Sequence, residues 1–194
     1  MNLPSHAAPP IHRVVLVGMM CSGKSAVGAE LARRLGWTHL DLDREIERAA
    51  GRTVREIFAA EGEAGFRRME ADATARVAER DRVVLSPGGG WITNPRLLPA
   101  LGPGTLCVWL RVSPEEAVRR AAAAPGERPL LAGSDPLGAV RRLLAEREPD
   151  YARAHVALPT DGRSVAELAD EVHNVIRARA SSPDATRGES PWND

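Results

Sequence analysis

The 194-residue sequence has few of the residues that mark several classes of protein. Its two cysteines are too few for a disulfide framework, and only 4% of its residues are aromatic. No apolar run approaches the roughly 18 residues that a membrane-spanning helix needs, and the first residues lack the apolar core of a signal peptide. Acidic and basic residues balance at 26 each, so the whole molecule has no general attraction to nucleic acid. We therefore expect a cytoplasmic protein that binds neither membranes nor nucleic acid.

Lysine is almost absent, because every basic residue except Lys24 is an arginine. A lysine ammonium is a compact charge with rotatable donors, whereas the guanidinium of arginine is a planar fork. The one lysine lies in GMMCSGKS, at residues 18–25. Its position indicates that this segment needs an ammonium where arginine would not serve.

Short β-branched segments alternate with longer segments of helical periodicity, which predicts an α/β fold with a five-stranded parallel sheet covered by helices on both faces. We predict strands at residues 13–17, 38–42, 82–85, 105–112 and 155–158. Helix starts are predicted at the capping boxes Thr53 with Glu56, Ser113 with Glu116 and Ser164 with Glu167, and a further helix at about 63–78. A helix after residue 135 is predicted to end at about Glu148. One domain is expected over residues 12–180, with a mobile lid at about 123–135, between disordered tails at 1–11 and 181–194.

Residues 18–25 match the pattern G-x-x-x-x-G-K-[ST] between a β-branched strand and an amphipathic helix. Backbone N–H groups of such a loop and of the following helix N-terminus surround phosphate oxygens. Lys24 would then reach the β- and γ-phosphates of a nucleotide, and the Ser25 hydroxyl would coordinate Mg²⁺. The motif predicts nucleotide binding but leaves the reaction open.

An acidic segment lies at the end of the second predicted strand and a glycine-rich segment follows the third, at the edge where an open parallel sheet binds its ligands. Asp41 and Asp43 suit two tasks, one near the Mg²⁺ and one accepting a proton from an attacking hydroxyl, unless they only cap the next helix. The run 88–90, three glycines, either lets a small ligand lie against the backbone or forms a flexible turn. Arginines at 67, 128 and 147 are candidates for anion binding, although spacing alone does not separate them from solvated surface arginines.

In combination these motifs resemble the shikimate kinase family, the small P-loop kinases of aromatic amino acid biosynthesis. The similarity covers about residues 13–177 and rests on GMMCSGKS at 18–25, DLD at 41–43, GRTVREIFAAEGEAGFRRME at 51–70, LSPGGG at 85–90, RPLLAG at 128–133 and REPDY at 147–151. The resemblance implies transfer of the γ-phosphoryl group of ATP to the 3-hydroxyl of shikimate, which gives 3-phosphoshikimate and ADP. A kinase of another polyol acid such as gluconate is the alternative, and a nucleotide-binding module without catalysis is a third possibility.

The resemblance also implies a role for each site residue, in a monomer with Mg²⁺ as cofactor. The implied catalytic residues are Lys24, Asp43 and Arg128. The implied ATP-binding residues are Gly18, Cys21, Ser22, Gly23, Lys24, Ser25, Ala26, Arg120, Arg128 and Arg163. The implied shikimate-binding residues are Asp43, Arg67, Glu70, Gly88, Gly89, Gly90 and Arg147. In this set Arg67 and Arg147 hold the carboxylate and Glu70 orients Arg67, while Ser25 and Asp41 are the implied metal ligands.

Cys21 departs from the family pattern, which usually has glycine at this position. It lies beside Lys24 and just before a predicted helix, and both features favour a reactive thiolate. The alternative is that Cys21 is merely a small residue that fits the loop. Cys107, inside an apolar strand, is expected to be buried and inert.

Overall fold

The computed structural model describes residues 9–123 and 134–181. Most of the predicted lid, including Arg128, lies outside the described residues, as do residues 1–8 and 182–194 of the predicted tails. No helix within the two described ranges is long and apolar enough to span a membrane.

Five parallel strands form one sheet, as the sequence pattern predicts, and their order in it is β2-β3-β1-β4-β5. The strands are β1 (Arg13–Val17), β2 (Thr38–Asp41), β3 (Val83–Ser86), β4 (Thr105–Arg111) and β5 (Val156–Pro159). The helices are α1 (Lys24–Leu35), α2 (Leu42–Ala50), α3 (Val54–Ala78), α4 (Leu97–Ala100), α5 (Pro114–Ala123), α6 (Pro136–Tyr151) and α7 (Val165–Ser181), with a 3₁₀ turn at Trp91–Thr93.

Both faces of the sheet are covered, because alternate side chains of β1 enter two separate hydrophobic clusters. Val15 and Val17 pack with residues of α2, α3 and α4. Val14 and Leu16 pack on the opposite face with residues of α1 and α7. All five residues of β1 are buried, which explains why this strand is a continuous apolar run with one arginine at its start.

The helices between β2 and β3 differ from the prediction. α2 is a separate helix. α3 begins at Val54, after the predicted Thr53–Glu56 capping box, and continues through residue 63, where the sequence predicts the start of a further helix. α3 is kinked at Gly62, whose φ of 67° and ψ of −174° lie in a region that essentially only glycine adopts. The predicted boundary near residue 63 therefore marks the kink and not the start of the helix.

α6 continues through Pro149 to Tyr151, although the sequence predicts an end near Glu148. Proline removes one backbone donor and usually ends a helix. Here Tyr151 is fully buried and its ring stacks on Trp109 of β4, with the centroids 5.7 Å apart. This packing holds the last helical turn in place despite the proline.

Candidate active site

The loop between β1 and α1 holds the only lysine side chain of the sequence close to its own backbone. Lys24 Nζ donates hydrogen bonds to the carbonyl oxygens of Gly18, at 2.9 Å, and Met19, at 3.0 Å. Burial lowers the pKa of Lys24 from 10.5 to about 8, and the negative charge of Asp43 partly opposes this shift. The ammonium therefore lies in the curve of the loop, where the motif predicts the phosphates.

Ser25 and Asp41, the predicted metal ligands, are adjacent in space. Ser25 Oγ donates to Asp41 Oδ2 at 2.9 Å, and Asp41 Oδ1 accepts from the backbone N–H of Arg44 as the N-cap of α2. Hydroxyl and carboxylate oxygens are ligands that Mg²⁺ prefers, and Mg²⁺ typically uses one or two protein ligands together with phosphate oxygens and water. The pair fits such an ion, while the capping alternative also holds for Asp41.

A groove of about 510 Å³ begins at the phosphate loop and lies between α5 and the start of α7. Its lining includes five of the residues implied to bind ATP, namely Cys21, Ser22, Gly23, Arg120 and Arg163. Arg120 connects the walls, because Nη1 donates to Cys21 O at 3.2 Å and Nη2 donates to Thr160 O at 2.7 Å. The groove is large enough for a nucleoside. Ala26 is exposed and is not part of this lining.

The three glycines after β3, which we call the glycine turn (residues 88–90), bring the other predicted residues together. A Cβ atom at Gly88 would lie 3.3 Å from Asp43 Oδ1 and 3.7 Å from Glu70 Oε1. At Gly90 it would lie only 2.6 Å from Arg67 Nη2. The absent side chains therefore leave room for these groups, which converge on the turn.

Arg147 reaches the same turn from α6. A Cβ atom at Gly89 would lie 3.5 Å from Arg147 Nη1. Among the described residues Arg147 forms no ion pair with an acidic side chain, whereas Arg67 pairs with both Glu63 and Glu70. Of these two arginines, Arg147 is therefore the one whose positive charge no acidic side chain of the described residues neutralises. This charge is available to an incoming anion.

Arg67 is oriented as the resemblance implies. Its Nη1 donates to Glu70 Oε2 at 2.5 Å, and its Nη2 donates to Glu63 Oε1 at 3.0 Å. The side chain of Glu70 is 1% exposed, and burial raises its pKa while the Arg67 charge opposes the rise. Since Glu70 is held in the interior, it gives the partly exposed guanidinium one preferred direction.

Asp43 lies in the first turn of α2 rather than at the strand end where the sequence analysis places it. Its Oδ1 is buried and has no hydrogen-bond partner within the described ranges. Burial, followed by the charge of Asp41, raises the pKa of Asp43 from 3.8 to about 6, and Lys24 opposes the rise. A buried acceptor without a donor, facing the glycine turn, suits a hydroxyl group of a ligand.

Two supporting residues are missed by the sequence analysis. The Tyr151 hydroxyl donates to Gly89 O at 2.7 Å. Trp91 is fully buried, and its Nε1 donates at 2.9 Å to Thr74, whose hydroxyl donates at 2.7 Å to the Glu70 carbonyl. The spacing of Arg147 and Tyr151, four residues apart on one helix, is the only local signal that could have indicated the first of these contacts.

Comparison with known proteins gives a consistent result. The family model described as shikimate kinase matches residues 20–177. The chain is 47% identical over 168 residues to the shikimate kinase of Symbiobacterium thermophilum, covering 86% of this chain and 97% of that protein. It is 46% identical over 164 residues to a shikimate kinase of Thermus thermophilus, covering 84% and 89% of the two chains.

Solved structures agree with these sequence matches. The shikimate kinase from Acinetobacter baumannii in complex with shikimate superposes with a TM-score of 0.81 at 35% identity, covering 92% of this chain and 100% of that one. A gluconokinase from Sinorhizobium meliloti 1021 has a TM-score of 0.59 at 18% identity, covering 86% and 92%, and this likeness shows the fold alone. The phosphate loop, the glycine turn and the matched relatives lead to one conclusion: this chain belongs to the shikimate kinase family of ATP-dependent kinases.

Proposed function

We propose that this protein transfers the γ-phosphoryl group of ATP to the 3-hydroxyl of shikimate, which gives 3-phosphoshikimate and ADP. The observation that carries the proposal is the convergence at the glycine turn of two guanidinium groups, Arg67 and Arg147, with a carboxylate, Asp43, whose Oδ1 lacks a donor. Shikimate has one carboxylate, which complements the guanidinium groups, and several hydroxyls, which complement the Asp43 carboxylate. The names of the matched relatives support the same substrate.

Substrate recognition is assigned to Arg147 and Arg67. Arginine binds carboxylates through parallel N–H donors, which fixes orientation as well as affinity. Because Arg67 is already held by Glu70 and Glu63, its contribution is mainly directional, while Arg147 contributes a charge that no described acid neutralises. The Asp43 carboxylate would accept the hydrogen bond of the reacting hydroxyl.

Phosphoryl transfer depends mostly on positioning and on neutralising charge. Lys24 is the residue that would neutralise charge on the β- and γ-phosphates, and Arg128 is proposed to assist it. Asp43 would orient the hydroxyl and take its proton as the oxygen attacks. Ser25 and Asp41 would hold Mg²⁺, which when bound screens the phosphate charge. Arg120 and Arg163 would hold the nucleoside end of ATP in the groove.

An ADP-release assay tests the proposal. Purified protein with Mg·ATP is assayed with shikimate, gluconate, quinate and no acceptor, and the Asp43→Asn variant serves as the matched inactive control. We expect turnover with shikimate and background release with the other three. Faster turnover with gluconate would identify a different polyol acid kinase, and background release with every acceptor would identify a nucleotide-binding module.

The protein is further proposed to act as a monomer in the cytoplasm. Both substrate sites can be formed by one chain, and the two cysteines are free, as is usual in a reducing compartment. Light scattering should give a mass near 20.9 kDa. A mass of twice that value at assay concentration would contradict the monomer.

A further inference from the structure

Tyr151 is the only tyrosine in the sequence, and the proposed function assigns no role to its hydroxyl. The residue is fully buried at the end of α6, beneath the glycine turn, and its hydroxyl donates to the Gly89 carbonyl oxygen at 2.7 Å. A purely apolar role would be served equally well by phenylalanine. The hydrogen bond of the hydroxyl to Gly89 therefore indicates a role beyond apolar packing.

The hydrogen bond constrains the direction of the next peptide group. A trans peptide is planar, so its C=O and N–H point in opposite directions. By holding the Gly89 carbonyl oxygen, Tyr151 fixes the peptide that joins Gly89 to Gly90 and with it the direction of the Gly90 N–H. Glycine residues have unusual backbone freedom, so a run of three would otherwise sample several arrangements.

The ring of Tyr151 is itself firmly supported. It stacks on Trp109 of β4 at 5.7 Å with an interplanar angle of 20°. The Arg111 guanidinium covers the Trp109 ring at 5.4 Å from its centroid, and Arg111 also pairs with Glu148 of α6 at 3.5 Å. This stack connects the glycine turn to the sheet, so the turn has one preferred position relative to the strands.

Arg147 lies one helical turn before Tyr151 and approaches the same glycine. A Cβ atom at Gly89 would lie 3.5 Å from both Arg147 Nη1 and the Tyr151 hydroxyl. Burial raises the pKa of the Tyr151 phenol, and the nearby positive charge of Arg147 opposes the rise. The guanidinium and the phenol are therefore close neighbours beside Gly89.

We propose that Tyr151 is a positioning residue for acceptor recognition: its hydroxyl locks the glycine turn against α6, so that the turn and Arg147 meet the shikimate carboxylate and hydroxyls in a single arrangement. The inference rests on the proposed function for the identity of the acceptor. It concerns the acceptor half of the site, which adjoins the phosphate loop at Gly89, where a Cβ atom would lie 3.4 Å from the Gly18 carbonyl oxygen.

Steady-state kinetics of Tyr151→Phe test this role, since the variant keeps the stacked ring and loses only the hydroxyl. We expect the KM for shikimate to rise by about five- to twentyfold, the usual consequence of losing one buried hydrogen bond at a binding site. The KM for ATP and kcat should change by less than about twofold. Activity of the unmodified protein on shikimate tests the proposed function separately.

Thr105→Val is the matched control. Thr105 is also buried, and its hydroxyl donates to Leu101 O at 3.2 Å and accepts from Arg13 at 3.3 Å, at the amino end of β4 and away from the carboxyl ends of the strands. Its variant should lose comparable stability with all three kinetic constants unchanged. A shikimate KM within twofold of the parent in Tyr151→Phe, or an equal change in every constant, would overturn the proposal.

A second measurement covers the case in which Tyr151→Phe does not fold. Growth with 3-fluorotyrosine labels one residue in the chain, so ¹⁹F NMR gives a single resonance from this phenol. Saturating shikimate should shift that resonance, while ADP should leave it nearly unchanged. An unchanged resonance with shikimate, in protein that phosphorylates shikimate, would show that the hydroxyl does not take part in acceptor binding.

Discussion

Two arginines at the glycine turn have different surroundings, and these predict different consequences when each is removed. Arg147 has no acidic partner in the described part of the chain, so Arg147→Ala should weaken shikimate binding at least tenfold without destabilising the fold. Arg67→Ala should weaken binding similarly and also cost about 2–4 kcal/mol of stability, because it leaves the buried Glu70 unpaired. Calorimetry for binding and urea unfolding for stability separate the two effects. Unchanged shikimate affinity in both variants would contradict the assignment.

Asp43 combines a catalytic role with an expected cost to stability. Its folded pKa of about 6 lies above the ordinary 3.8, so as the pH rises from about 4 to 6 the unfolded chain releases this proton first. The free energy of unfolding therefore falls over that range. Above it the buried carboxylate is charged in the folded state and lowers the stability by its full amount. Asp43→Asn should lose at least about a hundredfold in turnover, yet in magnesium-free buffer at pH 8 it should be about 1–2 kcal/mol more stable.

The stability advantage of Asp43→Asn should nearly vanish at about pH 3, where the parent carboxyl is largely protonated in both the folded and the unfolded state. Urea unfolding at about pH 3 and at about pH 8 measures this difference. An advantage that persists unchanged at the lower pH would mean that the amide gains new contacts and that the charge of Asp43 is not the cause. Turnover within threefold of the parent would leave Asp43 without a catalytic role.

The two cysteines should differ sharply in reactivity. Cys21 is partly exposed at the nucleotide groove, whereas Cys107 is fully buried and burial raises its pKa to about 12. Iodoacetamide at pH 7.5 should label Cys21 first, stop ATP turnover in proportion to labelling, and act more slowly with Mg·ADP present. Peptide mapping by mass spectrometry measures the order. Labelling that leaves activity intact would support the alternative that Cys21 only fits the loop.

At the scale of single elements, α3 is kinked at Gly62, in the helical segment that leads to Arg67. Gly62 has φ 67° and ψ −174°, and a Cβ atom there would meet no other atom within 4 Å, so substitution would be opposed by conformation rather than by contact. Gly62→Ala should cost about 1–3 kcal/mol and, by straightening the helix before Arg67, weaken shikimate binding about fivefold or more.

Gly36→Ala is the matched control for the kink. Gly36 ends α1 in the left-handed region with φ 65°, and a Cβ atom at that position also meets no atom within 4 Å. This variant should lose a similar 1–2 kcal/mol, about the usual cost of the left-handed region, with unchanged affinity for shikimate. Equal affinity losses in the two variants would show that lower stability, and not the kink, weakens binding.

For the whole molecule, the proposed acceptor and nucleotide sites predict separable effects on unfolding. A ligand at about a hundred times its Kd stabilises the folded state by about 2.7 kcal/mol, which raises the Tm of a domain of this size by about 5–10 °C. Lys24→Ala should lose the shift caused by Mg·ADP and keep that caused by shikimate, and Arg147→Ala should show the reverse. Differential scanning fluorimetry measures both. Loss of both shifts in either variant would contradict independent sites.

Local features of this protein could be predicted from the sequence because their causes are local. The apolar run of β1, the phosphate-loop glycines, Lys24 and the capping box at Thr53 and Glu56 each depend on neighbours within a few positions. The family resemblance added Arg67, Glu70 and Arg147, which composition and spacing could not distinguish from the other arginines and acids of a highly charged chain.

Tertiary structure alone decided how these residues meet. Asp43 belongs to α2, and α6 continues beyond Pro149 because the stack of Tyr151 on Trp109 outweighs the missing donor of proline. The contact of Tyr151 with Gly89 joins residues 62 positions apart, and no local sequence pattern predicts a contact over such a separation. Parallel strands bring their carboxyl ends to one edge, so the sequence by itself determines which elements form, and the sheet order determines which of their side chains become neighbours.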